Sequence, residues 1–150
     1  MFFIQGICVF REGQNVERTS PSSLAYPGVD ADEVFPGVYI GNHASARSQA
    51  FLKDRGITHV LNAAEGTAIG YCDTHADYYT ELDIKFLGLP LPDLPGANIS
   101  KYFSTVAEFI DLALAGGGVV LVHCLMGMSR STTAVLAFLC LSRYCSYSFY

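Results

Sequence analysis

Val119-Val-Leu-Val-His-Cys-Leu-Met-Gly-Met-Ser-Arg-Ser131 passes from an unbroken apolar run into a loop of small and polar residues. The run Val119 to Val122 is too short for a buried helix and suits a strand covered on both faces. Ser131 to about Ser142 is apolar and reads as a helix. The segment therefore predicts strand, loop, helix. Its loop has the form H-C-x-x-G-x-x-R-S, with Cys124 six positions before Arg130.

That spacing has a chemical meaning. A loop entering a helix N-terminus aims successive main-chain N–H groups inward, and the helix dipole adds partial positive charge there. A nest over Leu125, Met126, Gly127, Met128 and Ser129 could hold the oxygens of a phosphate in a chain whose net charge is -5. Gly127 permits a backbone conformation closed to other residues. Arg130 can close over the anion with two parallel hydrogen bonds. The same field favours thiolate over thiol, which makes Cys124 a nucleophile. Its attack on phosphorus gives a cysteinyl-phosphate, which water then hydrolyses. The competing reading, a structural cysteine before an ordinary helix, leaves His123, Gly127 and Arg130 as coincidences.

Expulsion of an alkoxide or phenoxide calls for a general acid on a separate loop. Asp93 stands in Leu89-Pro-Leu-Pro-Asp-Leu-Pro-Gly96. From the residues alone, a turn-forming Asp between prolines is an equal alternative.

Outward from this segment, Val38 to Ile40 reads as a short strand, and Ala44 to Arg55 as a helix stopped by Gly56. Ile57 to Ala63 is a β-branched strand, and residues 64 to 80 form a long loop with one turn. Ile84 to Leu91 is a further apolar run, broken by Pro90 and Pro92. A helix follows from about Lys101 to Ala115, capped by Asn98 or Ser100 and ended by Gly116-Gly117-Gly118. Strands alternating with helices predict an α/β domain with a central, mostly parallel, twisted sheet flanked by helices. Residues 1 to 29, with an apolar start and then Arg, Glu, Ser, Pro and Gly, read as an N-terminal arm. Residues 30 to 150 read as the domain proper.

The totals fit one globular domain: 150 residues, 51% hydrophobic and 15% charged. The acidic balance argues against nucleic acid or an anionic membrane as partner. No run approaches the ~18 apolar residues of a membrane span. Met1 to Phe10 lacks the basic flank of a secretory signal. Five cysteines without a CxxC pair give zinc no support and suggest free thiols in a reducing compartment, cytoplasmic or nuclear. His43, His59 and His75 show no ligand spacing, so no metal or cofactor is expected. Asp73, Asp77 and Asp83 read as solvated, and Tyr78 and Tyr79 as packing residues.

From Asp30 to about Ser142 the chain resembles the dual-specificity protein phosphatases, most closely the small atypical ones without a kinase-docking domain. The matching stretches are Asp32-Glu-Val-Phe-Pro-Gly-Val-Tyr-Ile-Gly-Asn42, Gly56-Ile-Thr-His-Val-Leu-Asn-Ala-Ala-Glu-Gly66 and the loop quoted first. In that family the general acid is an Asp five residues before an Asn-Leu/Ile-Ser helix start. Asp93 and Asn98-Ile99-Ser100 match it. The resemblance implies that Ser131 donates a hydrogen bond to the cysteine sulfur and eases breakdown of the phospho-enzyme, and that His123 orients the loop and tunes the thiolate. It also implies phosphotyrosine and phosphoserine/threonine on proteins as substrates, with kinases among the candidate partners. Lipid-directed relatives carry Lys in this loop, and residues 125 to 129 have none. Family members continue past the signature helix, whereas residues 141 to 150 do not resemble that continuation. A domain shortened at its C-terminus, exposing apolar surface, is the expectation. The rivals are a catalytically silent phospho-binding module and another thiol enzyme, such as a sulfurtransferase or arsenate reductase.

Overall fold

The computed structural model describes residues 26–144. Most of the expected N-terminal arm and the last six residues lie outside the described residues. Five strands form one sheet in the order β1-β2-β5-β3-β4. β1 (Ala31–Phe35) turns through Pro36-Gly37 and runs antiparallel to β2 (Val38–Gly41), while β3 (His59–Asn62), β4 (Lys85–Gly88) and β5 (Val120–His123) join β2 in parallel. The sheet is mostly parallel, as expected. The antiparallel edge strand β1 was not foreseen, because Ala31-Asp-Glu-Val-Phe35 has neither a clean alternation nor an apolar run. All four residues of β5 are buried, which is why that strand reads as a continuous apolar run.

Register decides where function can lie. Gly41 pairs with His123, His123 with Asn62, and Asn62 with Gly88. The four parallel strands thus end at one level, and the loops that follow them emerge on the same edge of the sheet. Carboxyl ends of parallel strands are where α/β sheets place their ligands.

Helices cover both faces. On one side, α1 (His43–Arg47) and α2 (Gln49–Asp54) replace the single helix expected over 44 to 55. The break is at Ser48, whose backbone is extended and whose hydroxyl accepts the Phe51 N–H at 3.2 Å, restarting the helix as an N-cap. Phe51 and Leu52 pack there with Val60, Tyr79 and Leu121, and Tyr26 and Val29 close the cluster. The expected loop over 64 to 80 contains α3 (Ala76–Thr80). Tyr78 and Tyr79 anchor it by donating to the carbonyls of Arg47 and Ala46 at 2.7 and 3.1 Å, so both are packing residues.

On the other face lie α4 (Phe103–Ala115) and α5 (Arg130–Phe138), the latter running into a π-helical turn (Leu139–Tyr144). Val106 and Ile110 of α4 and Ala134 and Phe138 of α5 meet Val38, Leu61, Val120 and Val122 of the sheet. Each such buried side chain contributes about 1.5–3 kcal/mol relative to exposure. Neither Asn98 nor Ser100 caps α4. The Ser100 hydroxyl donates to Asn98 Oδ1 at 2.6 Å, and a 3-10 turn (Ser100–Tyr102) leads into the helix. Arg143 in the turn pairs with Asp111 of α4 at 3.0 Å. Leu112 of α4 and Leu136 of α5 remain exposed on this face.

Candidate active site

Strand β5 delivers Cys124 directly into the loop. Neighbouring strand ends hold that loop in place: the Cys124 N–H donates to the Gly41 carbonyl at 3.4 Å, and the His43 N–H donates to the Leu125 carbonyl at 3.1 Å. Gly127 is needed twice over. Its φ is +73°, and an added Cβ would lie 2.8 to 3.0 Å from the Gly41 carbonyl and the Asn42 nitrogen. The loop therefore curls tightly against the end of β2.

Within the curl, the N–H groups of Gly127, Met128 and Ser131 point at the Cys124 sulfur, and the Ser131 hydroxyl lies 3.3 Å from it. Burial alone would push the thiol pKa up. The Ser131 hydroxyl and the three N–H groups outweigh it, and the pKa falls below the ordinary thiol value. Ser129 and Leu125 contribute main chain only: the Ser129 carbonyl accepts from Thr133 of α5, and its hydroxyl makes no cap bond. Met126 and Met128 point outward and are exposed.

Arg130 is buried, and distant chain fixes its guanidinium. Nη1 donates to the carbonyls of Gly70 at 2.9 Å and Leu91 at 3.0 Å, and Nη2 donates to Asp93 Oδ2 at 3.2 Å. Nε is buried without a partner, leaving one strong donor for an incoming oxyanion. Asp93 is mostly exposed, with its carboxylate on the solvent side of the guanidinium. Cys124, Arg130, Asp93, Ser131, His123 and residues 125 to 129 thus fall at one end of the sheet.

His123 is fully buried at the end of β5. Burial pushes its pKa down to about 3, against a contact with the Cys124 main chain that raises it, so the ring is neutral at the base of the loop.

Three features escaped sequence reading. Asn62, buried at the end of β3, donates through Nδ2 to the carbonyls of Cys72 and Thr74 and to Thr74 Oγ1, at 3.0 to 3.1 Å. Its Oδ1 accepts the Ala64 N–H at 2.9 Å. One side chain thus folds back the segment whose Gly70 carbonyl holds Arg130. A polar residue closing an apolar strand was the available signal. Cys72 is buried close enough to Cys124 to sense its charge. Burial first, and then that charge, push its pKa up to about 11, with Arg130 pulling the other way. At the base of the same segment, His75 Nδ1 lies 2.9 Å from Glu65 Oε1, and this contact raises the histidine pKa. A cavity of about 600 Å³ lies elsewhere, at the amino ends of β3 and β4, lined by residues that include Leu52, Ile57, Thr58 and Ile84.

A mostly parallel sheet that delivers a cysteine sulfur into a curl of main-chain amides, with a guanidinium beside it, defines the class of cysteine-loop proteins. Known proteins narrow that class. The family described as "Dual specificity phosphatase, catalytic domain" matches residues 38–148, and the chain belongs to it. Dual specificity protein phosphatase 26 of Rattus norvegicus is 45% identical over 112 residues, covering 74% of this chain and 51% of that protein. The chain thus spans about half the length of that curated relative. Among solved structures, DUSP15 is 32% identical with a TM-score of 0.60, covering 73% of this chain and 64% of that one. A human tyrosine phosphatase-like serine/threonine/tyrosine-interacting protein is 31% identical with a TM-score of 0.62, covering 73% and 71%.

Proposed function

We propose that the chain hydrolyses phosphotyrosine and phosphoserine/threonine on proteins through a cysteinyl-phosphate. The observation that carries this reading is the Cys124 sulfur, whose pKa is lowered by Ser131 and loop amides in a site that also holds a buried, unpaired Arg130 Nε. The phosphate oxygens would take the loop N–H groups and Arg130, with Nη2 passing from Asp93 to substrate. The thiolate then attacks phosphorus in line, the phosphorus–oxygen bond to the leaving group breaks, and Asp93 as its acid gives that oxygen a proton. In the second half, Asp93 takes a proton from water, which attacks the thiophosphate and frees Cys124. Ser131 stabilises the departing thiolate.

The family resemblance supports phosphoproteins as the substrate class. The presence of Cys124, Arg130 and Asp93 together favours turnover over silent binding. The test is hydrolysis of p-nitrophenyl phosphate by the folded chain, with Cys124→Ser as its control. Turnover should fall by at least about 10⁴-fold in the variant. Equal rates in the two proteins would refute the proposal.

A further inference from the structure

Eight large apolar side chains stand exposed among the described residues, and four of them lie on the loops of this one site: Ile69, Leu94, Met126 and Met128. Ile69 is fully exposed and precedes Gly70, whose carbonyl holds Arg130. Leu94 follows Asp93, which touches the same guanidinium. Met126 and Met128 flank Gly127 in the curl over Cys124. Each is thus within one residue, about 3.8 Å along the chain, of a group that contacts Arg130 or the sulfur. Three loops from three different strand ends each carry an exposed apolar side chain beside the site.

The charges of these loops point the same way. Segments 66–72, 89–97 and 125–129 hold a single charged residue, Asp93. These three segments therefore offer a substrate's flanking residues apolar contact and no cation. Exposed apolar groups gathered at a pocket mark a contact surface, and Met adapts to varied shapes and to aromatic rings.

Resting on the phosphatase reading above, we infer that this rim selects phosphorylated segments whose neighbouring side chains are apolar or aromatic. It turns away segments with acidic neighbours or an adjacent second phosphate, which would find apolar side chains and no cation in these segments.

Phosphotyrosine peptides differing only in their flanks test this. A peptide flanked by Leu and Phe should show kcat/KM about tenfold above one flanked by Glu, with a Ser-flanked peptide between. In the double variant Ile69→Ser/Leu94→Ser, the gap between the apolar and Ser flanks should shrink to within about twofold, while p-nitrophenyl phosphate is hydrolysed at the unaltered rate. Fluorescence anisotropy on the Cys124→Ser chain reads the rim without chemistry and should rank the peptides in the same order. Ordered binding without turnover in the unaltered chain would overturn the catalytic proposal and uphold the rim. A flat ranking, one led by the acidic peptide, or an order that survives the double variant would overturn the rim.

Discussion

Around Cys124, the groups that act on the sulfur belong to Gly127, Met128 and Ser131, all within seven residues of it. Around Arg130, the acceptors are Asp93, Leu91 and Gly70, which lie 37, 39 and 60 positions away. The proposed nucleophile is thus surrounded by one short loop whose shape follows from Gly127 and the start of α5. The guanidinium is aimed by two loops that follow other strands. The environment of the sulfur is a local property, whereas the placing of the guanidinium depends on the carboxyl edge of the sheet.

That contrast can be broken most forcefully at Asp93. Asp93→Asn keeps a polar group near Arg130 but removes the acid, so kcat should drop by about 10²–10³-fold, while the inhibition constant of inorganic phosphate stays nearly constant. A matching loss of phosphate affinity would move Asp93 from proton transfer to binding.

Asn62→Ala sharpens the distal side. It removes the Asn62 donor from the Thr74 carbonyl and the acceptor from the Ala64 N–H, while the Cys72 carbonyl keeps the Gly66 N–H, and should cost about 2–3 kcal/mol in chemical denaturation. Because the freed segment carries Gly70, KM should rise more than kcat falls. An unchanged KM in a destabilised protein would show that Arg130 keeps its aim without that segment.

The smallest effect is expected at Ser131. On the proposed mechanism the thiolate attacks, so kcat/KM should rise with pH through the Cys124 pKa, which lies below the ordinary thiol value. Ser131→Ala removes the hydroxyl that favours the anion. The rise should therefore move to higher pH, with a loss of several-fold at mildly acidic pH that fades as pH increases. An unshifted profile would assign the lowered pKa to the amides alone.

Local chemistry explains what could be read in advance. The apolar Val119–Val122 run, the glycine-stopped helices and the Cys124-to-Arg130 loop each show in residue type and spacing along a short stretch of chain. The split of the 44–55 helix at Ser48 and the failed capping by Ser100 show the limit. In both, a hydroxyl had several partners in reach, and packing chose among them.

By itself, then, the chain's order of residues determined an α/β domain and a cysteine loop before a helix, because amide direction, the dipole of α5 and glycine freedom act over a few residues. Tertiary structure alone decided that Gly41, Asn62, Gly88 and His123 end level, and that Gly70 and Leu91 aim Arg130. Those choices depend on strand register, and register is set by side chains packing across the sheet from distant parts of the chain.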